Sequence, residues 1–216
     1  LDKMVVIPNG IPDFAADLAV PKPARSEPLI LFAGEVGPRK GAGLLLEALA
    51  NLRQKGPRWR CIIAGNGDIP EYRAMAQMLG LKDRVSFTGW IDADRMHALM
   101  READIVVLPS RIEALPLSLI EGACAGAALV ASNAGASAEI ARQGRNGVIV
   151  PLESEAIAEA LADLIAHPER LSAMQVESRK LFLERFRIDQ FESAMTAFFT
   201  EAATRDKPAP VPVSGA

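Results

Sequence analysis

The sequence is poor in the residues that build metal and disulfide frameworks. It holds two cysteines and two histidines in 216 residues. Cys61 and Cys124 each stand inside an apolar run, which reads as reduced core cysteine in a cytosolic protein, not as a disulfide or zinc framework. The two histidines, His97 and His167, lie in helix-like segments and argue against a multi-histidine metal site. There is no basic excess either: 24 Lys plus Arg stand against 27 Asp plus Glu, a formal net charge of −3. Sequence-independent nucleic-acid binding leaves a basic footprint, so this balance argues against it. No apolar run reaches the roughly 18 residues of a membrane span. An initiator Met, a signal peptide with a basic start, and any internal repeat are also missing. A strand-like run begins almost at once, at Met4-Val5-Val6-Ile7, as though the chain opened in mid-protein. At about 150 residues per domain, the length allows one large domain or two small ones.

What is present is an alternation. Short β-rich runs at 29–33, 60–64, 85–88, 105–108, 128–131 and 147–150 are mostly continuous in apolar residues, as strands buried on both faces must be. Between them, 43–54, 70–79, 92–102 and 116–125 carry apolar residues at helical spacing. Gly56-Pro57 stops the first helix, Asp92 suits an N-cap, and Pro116 suits a first helical position. After Val150 the pattern becomes all helical, over 154–166, 168–184 and 189–203. The expectation is a Rossmann-like α/β fold: a doubly wound parallel sheet of about six strands flanked by helices, with C-terminal helices. Residues 1–203 make one domain, and the Pro-rich stretch 204–216 reads as a disordered tail. In such a sheet ligands bind beyond the carboxyl ends of the strands, so the Gly-rich loops there are the ones to watch.

The most informative of these runs from Pro109 to Glu121. Glu113 lies in the loop after a strand. Pro116 then starts a helix and leaves the amides of Leu117, Ser118 and Leu119 without intrahelical acceptors. Free amides and the helix dipole together make an anion site. Glu121, deeper in the same helix, is the one charged side chain from Ala114 through Ala138. A carboxylate in so apolar a setting is costly unless hydrogen-bond donors meet it, and sugar or ribose hydroxyls would. The bland alternative makes Glu113 a loop cap and Glu121 a solvated helix residue.

A second candidate is Gly34-Glu35-Val36-Gly37-Pro38-Arg39-Lys40-Gly41, between a strand and a helix. Arg39 or Lys40 reaching a diphosphate would explain it, as would an ordinary solvated turn. The spacing is not that of a P-loop. Gly65-Asn66-Gly67 imitates a dinucleotide fingerprint, but Pro70 stands at its third glycine and it follows a later strand, so a structural turn is favoured over NAD binding. The small-residue loop 133–138 either offers amides to a ligand or simply leads Glu139 into a helix N-terminus. His97 reads as a surface or partly packed residue, and His167 as a helix-end residue meeting the C-terminal dipole; neither is assigned to catalysis. Trp59 and Trp90 read as packing residues, with Trp90 or its neighbours' backbone also placed to edge a base pocket.

In order along the chain, Ile7-Pro8-Asn9-Gly10, Gly34–Gly41, Ala64–Gly67, Phe87-Thr88-Gly89-Trp90, Ala103–Ser110, Glu113-x7-Glu121, Gly126, Glu139 and Gly144-x2-Gly147 make a set. Together they resemble the carboxyl-terminal half of a family 4 (group 1) glycosyltransferase of the GT-B fold, over about residues 4–199. The resemblance implies a domain that binds a UDP-sugar or GDP-sugar for retaining transfer, without a metal or other cofactor. It implies donor contacts from Gly34, Arg39, Lys40, Gly65, Trp90, Glu113, Ala114, Leu115, Leu117, Ser118 and Glu121. Glu113 would take sugar hydroxyls, Glu121 the ribose, and the amides near Leu117 and Ser118 a phosphate. Lys40 would neutralise the diphosphate leaving group, making Lys40 and Glu113 the catalytic pair. The partner would be an amino-terminal domain holding a saccharide or lipid-linked acceptor. The setting would be the cytoplasm, with a lipid acceptor bringing the whole enzyme to the inner membrane face, as in polysaccharide biosynthesis.

This chain departs from the family's pattern at two places. The family's usual Arg is Glu35 here, which turns away or pairs with Arg39, and the usual glycine after the first Glu is Ala114. On Asp189–Ala203, Phe191, Met195, Phe198 and Phe199 would lack part of their packing if that helix normally crosses to the other domain. The alternatives are a sugar-nucleotide-binding module without transferase activity, an epimerase or phosphorylase domain on the same fold, and, more weakly, a nicotinamide dehydrogenase.

Overall fold

The computed structural model describes residues 4–56 and 58–205. Leu1, Pro57 and the expected Pro-rich tail from Asp206 onward lie outside the described residues.

Six strands, β1 (Leu29–Ala33), β2 (Arg60–Ala64), β3 (Val85–Gly89), β4 (Ile105–Leu108), β5 (Ala128–Ser132) and β6 (Gly147–Val150), form one sheet in the order β3-β2-β1-β4-β5-β6. Every pairing is parallel. The central strands β1, β4 and β5 are buried at every position, because helices cover both faces. β3 sits at one edge and alternates buried with exposed residues, as a strand with one wet side must.

Among the described residues eight helices complete the fold: α1 (Ala42–Gln54), α2 (Ile69–Met78), α3 (Ala93–Glu102), α4 (Leu117–Cys124), α5 (Ser137–Ile140), α6 (Ser154–Ala166), α7 (Pro168–Arg185) and α8 (Ile188–Arg205). α1 packs beside α2 and α6 in one layer, and α4 beside α3 and α7 in the other. The sheet reverses direction of growth between β1 and β4, which opens a crevice at their carboxyl ends. Gly122 lets α4 lie close over that point: a Cβ there would stand 2.9 Å from Val106 Cγ2 and 3.1 Å from Leu129 Cδ2. Trp59 is fully buried and lies beneath the Arg84 guanidinium, 5.3 Å from its ring centroid. Both cysteines are buried and free, and burial pushes the Cys124 thiol up to about 12.

Three features depart from the expectation. α4 begins at Leu117, not Pro116, because Pro116 is extended at ψ 102 and its carbonyl takes the amides of Leu119 and Ile120. It is therefore the cap of the helix. α8 runs on to Arg205, past the expected domain end at 203, since no Pro or Gly interrupts it before Pro208. Trp90 is 74% exposed, so the packing reading fails for it: β3 ends at Gly89, on the sheet's edge, and nothing covers the ring.

The leading segment is fastened to the body. Ile11 exchanges backbone hydrogen bonds with Phe186 and Ile188, at 2.9 and 3.0 Å. Beyond that tie α8 draws away: Phe191 and Met195 are half-buried, while Phe198 and Phe199 are 38% and 61% exposed. No helix among the described residues is long and apolar enough to cross a membrane.

Candidate donor-binding site

The crevice at the strand reversal is a cavity of about 470 Å³. The β1–α1 loop contributes Gly34 and Lys40, the β4–α4 loop Glu113 and Leu115, and α4 contributes Leu117, Ser118 and Glu121; the start of α3 closes the far wall.

Lys40 Nζ lies 2.6 Å from Glu113 Oε1, and both side chains are largely buried, 15% and 6% exposed. Lys40 uses one of its three donors here, and Glu113 one of its two oxygens. Each keeps capacity for a ligand. The loop carrying Glu113 is pinned from behind. A Cβ on Gly135, whose φ is +52°, would stand 2.1 Å from the Glu113 carbonyl oxygen, and the Ala136 amide donates to the Ala114 carbonyl at 3.0 Å. The small-residue loop 133–136 therefore serves the protein backbone, and Glu139 is an exposed acid in the first turn of α5. On the near side, the Ser110 hydroxyl and the Arg111 amide both donate to the Arg39 carbonyl, at 3.1 and 2.9 Å, locking the two loops together.

At the start of α4 the amides of Leu117 and Ser118 have no protein acceptor among the described residues, whereas Leu119 donates to Pro116. Two free amides, one fewer than expected, point out of a helix N-terminus into the cavity. Glu121 sits one turn deeper. No protein group donates to its carboxylate among the described residues, and burial pushes it up from 4.5 to about 7.

The remaining expected residues fall outside the lining. Arg39 Nη2 pairs with Glu35 Oε2 at 2.7 Å on the exposed flank of the loop, so Glu35 holds the guanidinium and raises its pKa. Gly65 packs on the β1–α1 loop itself. At φ +142°, a Cβ there would stand 1.9 Å from the Gly34 carbonyl oxygen. The Val36 amide and carbonyl then bond Asn66 and Asp68, at 2.7 and 3.0 Å. The glycine loop is thus bound to the β1–α1 loop by its backbone, in keeping with the structural-turn reading. Ala114 and Trp90 also stand outside the lining, although Trp90's neighbours Ile91 and Asp92 are part of it. Asp92 caps α3 as expected, its carboxylate accepting from the Arg95 amide at 2.8 Å.

His97 was not expected here. It lines the cavity from α3 and stacks on Phe14. Met-His-Ala-Leu-Met gives no hint of that, because Phe14 belongs to a segment without regular structure. His167 does meet its helix end, with Nδ1 2.8 Å from the Asp163 carbonyl. No cluster of three or more metal-ligating side chains occurs among the described residues.

Residues 14–181 match the family model described as glycosyl transferases group 1. A GDP-mannose-dependent α-(1-6)-phosphatidylinositol monomannoside mannosyltransferase of Mycolicibacterium smegmatis is 32% identical over 168 residues, 74% of this chain and 44% of that protein. The chain thus spans about half the length of the curated relatives it matches. Among solved structures, an Anabaena protein in complex with UDP and glucose superposes with a TM-score of 0.74 at 23% identity, over 82% of this chain and 49% of that one. The C-terminal domain of a group 1 glycosyl transferase from Francisella tularensis superposes at 0.72 with 25% identity, over 83% of this chain and 100% of that one.

Proposed function

The chain belongs to the group 1 glycosyl transferases, and from that premise we propose that it binds the nucleotide-diphosphate sugar donor for retaining transfer to an acceptor held by a second, amino-terminal domain. One observation carries the reading: the buried Lys40–Glu113 pair, the free amides of Leu117 and Ser118, and the unpartnered Glu121 line one cavity. These are the groups that a sugar, a diphosphate and a ribose require.

The chemistry follows from what each group can do. As the glycosidic bond breaks, negative charge develops on the diphosphate. Lys40 and the amides at the start of α4 are fixed dipoles and charge aimed at that oxygen, and they stabilise it without reorganising. The second oxygen of Glu113 accepts hydroxyls of the donor sugar, while the first stays on Lys40 and orients it. Glu121, as a carboxylate, accepts two vicinal ribose hydroxyls, which supply the donors it lacks in the protein. No metal is needed for a leaving group already met by a cation and a helix N-terminus.

The relatives' half-length match supports placing the acceptor on another domain, and the phosphatidylinositol substrate in one relative's name favours a lipid-linked acceptor at the inner membrane face. The Glu35–Arg39 pair favours a second reading, a nucleotide-sugar-binding module without transfer, because it takes a cation away from the diphosphate. Calorimetric titration with UDP, GDP and their sugars tests the donor reading. Binding is expected, with loss in Glu121→Ala; no binding of any nucleotide sinks it. The 216 residues alone are expected to transfer no sugar, and robust transfer by them would contradict the two-domain reading.

A further inference from the structure

Phe14 lies flat on the His97 imidazole, with ring centroids 4.0 Å apart and planes 5° from parallel. Among the described residues no protein group hydrogen-bonds either ring nitrogen of His97. A neutral imidazole carries one N–H donor and one acceptor nitrogen, and leaving both unmet in a half-buried position is unfavourable. One face of the ring is covered by Phe14, and the residue lines the cavity.

The stack is held in place from both sides. Arg101, four residues along α3 from His97, donates to the Phe14 carbonyl at 2.9 Å and to both oxygens of Asp17 at 2.7 and 2.8 Å. On the other flank Arg179 of α7 forms a two-pronged pair with Asp13, at 2.8 and 2.7 Å. Phe14 is thus clamped between two ion pairs, and the ring it covers cannot turn freely.

We propose that His97 is a ligand-contacting residue that meets the nucleoside end of the donor, with Phe14 as its positioning residue. The inference rests on the donor reading above. A ligand anchored by its diphosphate at Lys40 and its ribose at Glu121 has the α3 wall left for its base, and His97 stands on that wall. Nucleobases present carbonyl and N–H groups side by side, which an imidazole edge complements in either tautomer.

The chain's two histidines make the test direct, since His167, at the junction of α6 and α7, is an internal control. Imidazole NMR signals are followed while the chain is titrated with UDP, GDP and inorganic pyrophosphate, and affinities are measured by calorimetry. At least one nucleotide is expected to move the His97 signals, and pyrophosphate to leave them in place; His167 stays still throughout. His97→Phe keeps the aromatic stack and has no nitrogen. It is expected to bind nucleotide about fivefold more weakly, the scale of one hydrogen bond, with pyrophosphate affinity unchanged. Phe14→Tyr should retain nucleotide affinity and Phe14→Ala should lower it. Nucleotide binding that leaves the His97 signals and the His97→Phe affinity untouched overturns this inference alone. Failure of the unsubstituted chain to bind either nucleotide overturns the donor reading and this inference together.

Discussion

Glu121→Gln is expected to stabilise the fold and to weaken donor binding at once. Burial raises the Glu121 carboxyl from 4.5 to about 7, with no protein donor to offset it. At about 1.36 kcal/mol per pH unit, the ionised form costs the folded state about 3 kcal/mol. The sign follows from proton binding. Between pH 4.5 and 7 the folded state holds the proton more tightly than the unfolded chain, so stability falls as pH rises through that window. It is highest below the unfolded value and bears the full cost above the folded one. Glutamine does not titrate. Urea unfolding should therefore find Glu121→Gln more stable than the parent by up to about 3 kcal/mol at pH 8.5, the gap narrowing below about 1 kcal/mol at pH 5. Binding of a UDP-sugar, whose diphosphate has no proton to lose in that range, should run the other way. It should weaken about tenfold in the parent between pH 8 and 6 as the carboxylate is protonated, and Glu121→Gln should be weak and flat with pH. Equal stability of the two chains at pH 8.5, or a gap that does not change with pH, would refute the premise that this carboxylate is buried without donors.

The cavity and the loops around it yield three further tests. Lys40→Met leaves the Glu113 carboxylate buried and unpaired, a loss of about 3 kcal/mol by urea unfolding; adding Glu113→Gln should restore most of it, and failure to restore would mean the pair is not the cause. Gly65→Ala drives a Cβ onto the Gly34 carbonyl oxygen at a backbone conformation alanine resists, so a fall of about 3 kcal/mol is expected, and parent-like stability would show that the two loops do not touch. Glu35→Arg frees Arg39 and adds a cation to the loop, which should strengthen UDP binding about threefold at low salt and less at high salt; an unchanged affinity would place the loop flank out of the diphosphate's reach.

The fold was largely legible because burial on both faces of a parallel sheet writes itself as uninterrupted apolar runs. Leu29–Ala33, leading into the Gly-rich stretch 34–41, and Ile105–Leu108, ended by Pro109, are such runs. The order of the strands was not legible, because right-handed crossovers are compatible with more than one doubly wound order. Boundaries were less legible, since Pro116 suits a first helical position and a cap equally well in sequence; only its ψ separates them. Polar residues in the amino-terminal segment carry no such signal: Lys22, between two prolines, is 5% exposed and its ammonium caps α3 at the carbonyls of Met100 and Ala103.

The site divides along the same line. Glu113, Glu121 and Lys40 stood out because each is a charge that its own neighbours do not explain, and local contrast is visible in sequence. Arg39 stood out by the same contrast, and Glu35 four residues earlier answers it, which was one of the two arrangements expected for Glu35. His97 offered no contrast at all. What makes it notable is the ring face covered by Phe14, which is far away in sequence and is flanked by Asp13 and Asp17, held by Arg179 and Arg101. Residues that carry their chemistry in their local setting are readable from one sequence. Residues that acquire it from a tertiary partner are not, and in this cavity the α3 wall is of the second kind.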